Sequence, residues 1–402
     1  MSTLQDVLAA RTCEAAPELV ETLEPPLHGE AQGASAGQAP PSHDEGQRAS
    51  AGKSRLRCHA CGHQCPIPDG AVGVCKVRFN EHGRLRVPWG YVGGVQCDPV
   101  EKKPFFHVYP GALAYSFGML GCDLHCSYCQ NWVTSQALRD PHAGSPPRDI
   151  TPAALVQDAL RQRAKLVVST YNEPLITIEW AVAIFTEARE HGLSTAFVSN
   201  GNGTPRALEY LRPHIDAYKV DLKSFDDRRY RDLGGRLQPI LDTIRWLHDA
   251  GVWVEIVTLL IAGFNDSDGE LRGLTQFIAS VSPDIPWHVT AFHKDYRMTN
   301  PADTTPDMLL GAAGIAREAG LRYVYAGNQP GRVGKLEHTH CAGCGERLIS
   351  RSGYLIQEYR LTANGACPRC DSRVPGLWSS GFEGQRTDRP YRPHDRTRLS
   401  VL

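Results

Sequence analysis

The sequence predicts an α/β fold, and two observations lead to it. Short β-branched runs alternate with amphipathic segments of helical length between residues 111 and 334, which is typical of repeated βα units. Six predicted strands are each followed by a helix or by a segment long enough to form one, so the sheet should be parallel with right-handed crossovers. This pattern favours a partial (β/α)6 TIM-like barrel, in which reactive groups lie just past the carboxyl ends of the strands.

The elements of this barrel are assigned in chain order. The strands are predicted at residues 114–118, 166–170, 195–199, 217–221, 253–258 and 287–291. The helices with the clearest ends are predicted at residues 178–191, 237–250 and 306–319, and each is followed by a glycine. Glycine commonly ends a helix because it adopts the left-handed backbone conformation without steric cost.

The composition excludes several classes of protein. The 402 residues carry 43 Lys and Arg against 44 Asp and Glu, a net charge of -1, which weighs against nucleic acid as a partner. The most apolar stretch, residues 252–264, is too short for a membrane helix and contains Glu255. The amino terminus lacks the basic start and apolar core of a secretory signal, so we expect a cytoplasmic protein. Its 13 cysteines should then stay reduced and bind metals rather than form disulfides.

Composition also divides the chain into regions. Residues 1–53 and 380–402 are predicted to be disordered, because small and polar residues crowd the first segment and Arg with acidic residues the second. Between them we expect a Cys-rich metal-binding region at residues 54–110, the barrel at residues 111–334 and a further cysteine-containing region at residues 335–379.

Three cysteines follow the first predicted barrel strand in the segment GCDLHCSYCQN. Cys122, Cys126 and Cys129 offer three thiolates within eight residues, which can bind three corners of a [4Fe–4S] cluster and leave one iron without a protein ligand. A small molecule with an amino and a carboxylate group can chelate that open iron. The alternatives are a zinc site completed by a distant histidine and a closed cluster with a fourth cysteine.

This loop, with Tyr128 before its third cysteine, resembles the signature of the radical S-adenosylmethionine superfamily. The resemblance implies an enzyme in which S-adenosylmethionine caps the open iron. Reduction of its sulfonium would then give a 5'-deoxyadenosyl radical that abstracts hydrogen from a substrate. It also implies an electron donor of the flavodoxin or ferredoxin type.

Other predicted strand ends match the superfamily in part. Glu173, with Asn172 beside it, follows the second strand where relatives hold the amino group of S-adenosylmethionine, and the alternative is an ordinary polar turn. Ser199 and Asn200 follow the third strand and are assigned to the ribose or carboxylate. These four positions are therefore candidate cofactor contacts.

The fourth and sixth strands supply three further candidates. Asp221 and Lys223 lie two residues apart in an extended segment and so share one face. They resemble the Asp-x-Lys pattern of glycyl-radical-activating enzymes, in which the lysine pairs with the methionyl carboxylate, and a surface ion pair is the alternative. By the same resemblance His293 is a nucleotide contact, whereas a lone histidine is often only packed or capping.

Two more cysteine groups flank the barrel. An N-terminal Cys-rich knot, Cys58, Cys61, Cys65 and Cys75, suits zinc or a closed second iron–sulfur cluster; spacing does not separate them, although the Gly and Pro turns lean slightly to zinc. Downstream, two Cys-x2-Cys pairs joined through a strand-like segment predict a C-terminal zinc ribbon with ligands Cys341, Cys344, Cys367 and Cys370. Cys13 and Cys97 are left over.

A closer resemblance rests on the knot followed by VRFNEHGRL, then DPVEKKPFFHVYPG, EIVTLLIAGFNDS, WHVTAFHKDYRMT, YVYAGN and the ribbon ending VPGLW. These segments, across residues 57–378, are similar to AmmeMemoRadiSam system radical SAM enzymes, which are related to pyruvate formate-lyase activating enzyme. That resemblance implies Memo-type and AMMECR-type proteins as partners and leaves the substrate open. Two alternative functions are an activating enzyme for a glycyl radical enzyme and a zinc-ribbon protein that binds nucleic acid.

Overall fold

The computed structural model describes residues 3–24 and 55–379. Its amino-terminal part is built from one short helix and small antiparallel sheets. The elements are α1 (Leu4–Ala9), β1 (Thr12–Glu14), β2 (Val20–Leu23), β3 (Arg55–Cys58), β4 (Pro66–Pro68), β5 (Phe79–Glu81), β6 (Arg84–Pro88) and β7 (Tyr91–Val92). Strand β6 pairs with β1 and β5, and β3 pairs with β2 and β4.

The predicted disorder of residues 1–53 is wrong for residues 3–24. Thr3 caps α1 through a reciprocal hydrogen-bonded box with Asp6, and Leu8 and Leu19 are buried in the main core. The composition that argued for disorder begins only beyond this stretch, and the apolar residues ahead of it have a core to enter. The remainder of that prediction, residues 1–2 and 25–53, and the predicted disordered tail from residue 380 lie outside the described residues.

An eight-stranded sheet forms the centre of the molecule, in the order β16-β15-β14-β13-β12-β11-β9-β8. Its strands are β8 (Gly94–Pro99), β9 (Leu113–Gly118), β11 (Leu166–Ser169), β12 (Ser194–Ser199), β13 (Ala217–Asp221), β14 (Trp253–Leu260), β15 (Trp287–Ala291) and β16 (Val324–Gly327); β10 (Arg148–Asp149) pairs with β7 instead. All neighbours are parallel except β8, which runs antiparallel to β9. Because β8 and β16 are edge strands that do not pair with each other, the sheet is open, as in a partial barrel.

Helices connect the parallel strands as the sequence predicts. They are α2 (Trp132–Ser135), α3 (Pro152–Arg161), α4 (Ile178–Glu190), α5 (Pro205–Leu211), α6 (Asp227–Asp232), α7 (Leu237–Asp249), α8 (Asp268–Val281) and α9 (Pro306–Glu318). Their apolar sides and the outer face of the sheet form the largest core, with Phe185, Phe197 and Trp287 fully buried. Within the described ranges no helix has both the length and the apolarity needed to cross a bilayer.

The predicted fold class is confirmed, with two additions. Six parallel strands each lead into a helix, and β16 follows as a seventh. Strand β8 also joins the sheet, although the sequence analysis assigned residues 54–110 to the Cys-rich region. Both additions are edge strands, and neither shows a clear β-branched run because an edge strand buries less apolar surface than a central one.

The carboxyl-terminal part, residues 335–379, is a small sheet of β17 (Thr339–His340), β18 (Arg347–Ser352) and β19 (Leu355–Tyr359) with four cysteines at one end. It packs through Leu348 and Ile349 on Phe106 and Tyr325 of the barrel. We call residues 335–379 the ribbon. Phe106 lies in the segment that enters β9 and Tyr325 is near the start of β16, so the ribbon covers the amino-terminal end of the strands.

Candidate active site

The three central cysteines lie in residues 119–131, here called the cluster loop, which follows β9 at the carboxyl end of the sheet. Cys126 is buried, and Cys122 and Cys129 are partly exposed. The Leu124 amide donates to Cys122 Sγ at 3.4 Å, and Cys129 Sγ lies 3.1 Å from Ser135 Oγ. Donors to sulfur of this kind stabilise thiolates that bind metal.

Metal-ligating side chains are less closely gathered in the cluster loop than in the ribbon. In residues 3–24 and 55–379, three or more metal-ligating side chains come within 4.8 Å of one another at a single place, the four ribbon cysteines. Thiolates that bind different irons of a cubane stand further apart than thiolates that share one ion. Among the described residues, Cys122, Cys126 and Cys129 are thus not gathered around one point as the ribbon cysteines are.

Apolar side chains surround the cluster loop on one side. Leu124, Tyr128, Leu233, Ile261 and Phe292 form a buried cluster with Cys126. Such a wall keeps water from a reactive centre.

A lysine lies on the other side of the cluster loop. Burial raises the pKa of the Cys126 thiol to about 12, and the charge of Lys223 is the largest influence in the opposite direction. Lys223 Nζ lies 3.4 Å from Asp221 Oδ2, and the Lys223 amide donates to Tyr230 Oη at 2.9 Å. The predicted pair therefore stands beside the cluster loop.

The inward face of β13 carries one charged residue that the sequence analysis missed. Lys219 is 4% exposed and forms an ion pair with Oδ1 of Asp221, while Lys223 pairs with Oδ2 of the same carboxylate. The two-residue period of the strand, which identified Lys223, also identifies Lys219 when it is followed one step backward. Asp221 thus pairs with two lysines, of which Lys219 is buried and Lys223 is partly exposed.

Glu173 and Asn200 come together, as their positions at neighbouring strand ends predict. Glu173 Oε1 accepts from Ser199 Oγ at 2.7 Å and from the Leu175 amide at 3.0 Å, and Oε2 accepts from the Asn200 amide at 2.8 Å. A carboxylate has about four acceptor sites, so one is left for a ligand. Burial, and then the nearby Asp123, raise the pKa of Glu173 to about 8.

Asp123 is a central residue of the site that sequence reasoning did not find. It is fully buried, with Oδ1 accepting from Asn200 Nδ2 and Oδ2 from Asn202 Nδ2, both at 2.7 Å. Its place next to Cys122 was the available signal, but its partners lie 77 and 79 residues further along the chain. Asp123 ties the cluster loop to the segment after β12.

Asn172 and His293 also reach the cluster loop. Asn172 Oδ1 accepts from the Met119 amide at 3.0 Å, so its side chain fixes the start of the loop. His293 is partly exposed, and its Nε2 lies 3.1 Å from Gln130 Nε2. Every candidate residue predicted from the strand ends therefore lies on or next to the cluster loop or within the network around Asp123 and Asp221.

A strap of residues 293–298 crosses this end of the barrel. The Arg297 amide donates to the Ser127 carbonyl at 2.9 Å, and Tyr296 Oη donates to Asp140 at 2.8 Å. The Tyr296 ring stacks on Trp132 with centroids 5.2 Å apart. These contacts hold His293 in place, and no sequence pattern predicted them because they join segments far apart in the chain.

The four ribbon cysteines are gathered closely enough to hold a metal. Cys341 and Cys370 Sγ are 3.5 Å apart, and Cys344 and Cys367 Sγ are 3.7 Å apart. Four thiolates at about 2.3 Å from zinc would be separated by about 3.8 Å, the edge of the tetrahedron. Hydrogen bonds from Ser372 lower the pKa of Cys370 to about 6, which favours the thiolate that a metal requires.

The N-terminal knot lies close to the cluster loop. Its four cysteines are less closely gathered than the four cysteines of the ribbon. Cys58, Cys61 and Cys75 are buried and Cys65 is half-buried. Cys65 Sγ accepts from the Val74 amide at 3.4 Å. Cys13 and Cys97, which the sequence left over, are both half-buried, in β1 and β8.

Comparisons with known proteins agree with this geometry. The radical SAM superfamily matches residues 118–278. An uncharacterized protein of Methanocaldococcus jannaschii is 35% identical over 319 residues, which are 79% of this chain and 93% of that protein. The pyruvate formate-lyase-activating enzyme of Staphylococcus aureus is 29% identical over 200 residues, 46% of this chain and 78% of the enzyme.

Among solved structures, a radical SAM methyltransferase from Sphaerobacter thermophilus has a TM-score of 0.43 and 16% identity over 55% of this chain and 68% of that one. The resemblance to AmmeMemoRadiSam system enzymes stays a prediction. With a family match that spans the cluster loop and the parallel sheet behind it, and a relative that aligns along most of both chains, the chain belongs to the radical SAM superfamily of enzymes.

Proposed function

We propose that the protein cleaves S-adenosylmethionine reductively at a [4Fe–4S] cluster bound by Cys122, Cys126 and Cys129. The observation that carries this proposal is a three-thiol loop at the carboxyl end of β9, with Lys223 beside it and the strand-end polar groups around it. Cluster and cofactor, when bound, supply a 5'-deoxyadenosyl radical that abstracts hydrogen from a substrate. That substrate is not identified by any residue of the site.

The chain's own residues would position the cofactor. Lys223 is the cation for the methionyl carboxylate, with Asp221 fixing its ammonium group. Glu173 keeps one acceptor site for the amino group of the cofactor. Ser199 and Asn200 donate to the Glu173 carboxylate and hold it in place. Asn172 orients the start of the cluster loop, and His293 faces the nucleotide.

The remaining predicted features belong to the same proposal. The barrel of residues 111–334 carries the chemistry, and the ribbon binds zinc, in keeping with its sulfur spacing. An electron donor of the flavodoxin or ferredoxin type supplies the reducing electron in the cytoplasm. Memo-type and AMMECR-type proteins are the proposed partners of an AmmeMemoRadiSam system enzyme.

A narrower function is activation of a glycyl radical enzyme. The similarity to the Staphylococcus aureus pyruvate formate-lyase-activating enzyme favours it. A host that encodes no glycyl radical enzyme would rule it out. Nucleic-acid binding by the ribbon has less support, because its exposed Arg347, Arg360 and Arg369 form ion pairs with Glu358 and Glu346. Strong salt-dependent RNA binding by the intact chain would be needed to revive it.

The test of the main proposal is formation of 5'-deoxyadenosine. Anaerobically reconstituted protein given dithionite and S-adenosylmethionine should form it, and Cys126→Ala should not, because the cluster would lose one of its three ligands. Cys97→Ala is the matched control, since this half-buried cysteine lies in β8 outside all three cysteine groups. Absence of product above the Cys126→Ala background, with the cluster's iron fully present, contradicts the proposal.

A further inference from the structure

The N-terminal knot, Cys58, Cys61, Cys65 and Cys75, lies directly behind the cluster loop. The Gly62 amide donates to the Asn202 carbonyl at 2.8 Å, and Asn202 Nδ2 donates to Asp123 Oδ2 at 2.7 Å. On the other side, a Cβ built on Gly121 would lie 3.2 Å from the Cys75 carbonyl oxygen. The knot and the catalytic cysteines therefore share one hydrogen-bonded and closely packed unit.

Apolar side chains enclose the knot. Cys61 and Cys75 pack with Val77 and Ile176, while Cys58 belongs to a second buried cluster in which Cys65 is half-buried. Burial among apolar side chains suits a metal centre that exchanges electrons and not atoms, because solvent and substrate are kept away.

The spacing of the knot differs from that of the ribbon. Ribbon sulfur atoms pair at 3.5 and 3.7 Å, within the 4.8 Å limit that no trio of knot ligands meets in residues 55–379. The knot cysteines are nevertheless joined directly, since the Cys58 amide donates to the Cys65 carbonyl at 3.0 Å. In its wider spacing the knot resembles the catalytic set Cys122, Cys126 and Cys129, whose sulfur atoms are also spread out.

A buried cation lies beside the knot. Arg78 is 1% exposed, forms an ion pair with Glu179 and donates to the Ile176 carbonyl at 3.2 Å, and Ile176 packs with Cys61 and Cys75. The Arg78 Nε atom is buried and has no hydrogen-bond partner among the residues that the structure describes. A buried N–H without a partner costs free energy, and a cluster with net negative charge and exposed sulfide lone pairs would satisfy it.

We propose that Cys58, Cys61, Cys65 and Cys75 hold a second iron–sulfur cluster that carries electrons to the catalytic cluster. Four thiolates close it, so it has no open iron for S-adenosylmethionine. A flavodoxin or ferredoxin type donor loses one electron, which passes through this cluster to the catalytic one and there breaks a C–S bond of the sulfonium. The existence of the second cluster is independent of the proposed function, and its electron-carrying role rests on it.

The first experiment counts metals in a chain without catalytic ligands. The full-length triple variant Cys122→Ala, Cys126→Ala, Cys129→Ala should retain iron and sulfide in equal amounts, two or four of each, together with about one zinc in the ribbon. Dithionite should produce an electron paramagnetic resonance signal that added S-adenosylmethionine leaves unchanged. Because this variant cannot cleave the cofactor, its metal content does not depend on the proposed function.

Two further substitutions in the triple variant locate the iron. Cys61→Ser should remove it, whereas Cys13→Ser, on the neighbouring strand β1 and outside the knot, should leave it in place. About two zinc and no iron per chain would overturn the proposal in favour of a second zinc site, and iron that survives Cys61→Ser would place the cluster elsewhere.

The electron-carrying role is tested in the otherwise native chain. With a flavodoxin as donor, Cys61→Ser should slow formation of 5'-deoxyadenosine at least tenfold, while with dithionite, a small donor that reaches the catalytic cluster directly, the rate should stay within twofold. Retained iron in the catalytic cluster shows that the variant is folded. Equal loss with both donors, or no loss with either, contradicts an electron path through the knot.

Discussion

The two ends of the barrel both contain buried charge but use it differently. At the amino-terminal end, Glu255 accepts hydrogen bonds from the Phe106 and His107 amides and from His288, all within 3.0 Å. At the carboxyl end, the side chain of Asp221 is 32% exposed and that of Lys223 is 17% exposed. Charges enclosed by protein partners stabilise the fold, whereas charges that keep unused donors and acceptors are available to a ligand.

The pKa values of charged residues at the two ends of the barrel are shifted by different partners. Burial favours the neutral acid at Glu255, yet the hydrogen bond and charge of His288 outweigh it and lower its pKa. Burial lowers the pKa of Lys219, whereas at Lys223 burial is outweighed by Asp221 and by Cys126, which raise its pKa. Lys223 is therefore a permanent cation beside the cluster loop.

The largest expected effect is at the amino-terminal end. Arg351 donates to Thr339 Oγ1 at 2.8 Å and to the Phe106 carbonyl at 3.0 Å, and its charge faces Glu101. Above the pKa of Glu101, which burial raises to about 7, Arg351→Met should lower the free energy of unfolding by about 3–5 kcal/mol, because it leaves a buried carboxylate without its cation. Urea denaturation of the metal-loaded protein measures this loss.

Arg347→Met is the matched control for that change. Arg347 lies on the same strand, β18, and forms an exposed ion pair with Glu358 at 3.3 Å. Its removal should cost less than about 1 kcal/mol. Equal destabilisation by the two substitutions would mean that the buried charges at this end do not fasten the ribbon.

The next effect is on activity at the other end. Lys223→Met should lower kcat/KM for S-adenosylmethionine about 100-fold, or about 2.7 kcal/mol, the size of a lost charge-assisted contact. Stability should change little, because Asp221 keeps Lys219 as its partner. Lys102→Met, which removes a half-exposed lysine paired with Asp98 far from the cluster loop, should leave kcat/KM unchanged. A large loss of stability with little change in kcat/KM would assign Lys223 to the fold.

Local sequence predicted the parts of the fold and site that depend on local pattern. The six central strands are confirmed because each has a continuous apolar run, and the two-residue period brought Asp221 and Lys223 to one face of β13. The three catalytic cysteines were recognisable because their spacing within one loop limits what they can bind.

Contacts between distant segments were not predictable in this way. The structural role of Asp123 depends on Asn200 and Asn202, which lie in the loop after β12 and donate hydrogen bonds to its carboxylate. The strap residue Tyr296 acts through Asp140, 156 residues away. The amino-terminal strands were missed because their few apolar residues become informative only when β3 and β6 are present to pair with them.

The smallest expected effect is a pH dependence of stability at the amino-terminal end. Burial raises the pKa of Glu101 from 4.5 to about 7, against the opposing charge of Arg351. Between these two values the folded chain keeps a proton that the unfolded chain has released. The contribution of Glu101 to stability is therefore full below pH 4.5 and is lost as the pH rises to about 7.

Glu101→Gln removes this titration. As the pH rises from 4.5 to 7.5, the free energy of unfolding of the variant should therefore increase by about 1–3 kcal/mol relative to that of the native chain. Burial lowers the pKa of His107 and of His288, and both act in the opposite direction, since the unfolded chain binds their protons more readily. Because those histidines are present in both proteins, the difference between the two urea midpoints isolates Glu101. Glu358→Gln, an exposed acid of the ribbon, should leave the native pH dependence in place. If the urea midpoints of Glu101→Gln and of the native chain change with pH in parallel, Glu101 stays ionised in the folded chain. The amino-terminal end is then held by a permanent Glu101–Arg351 ion pair in place of a protonated acid.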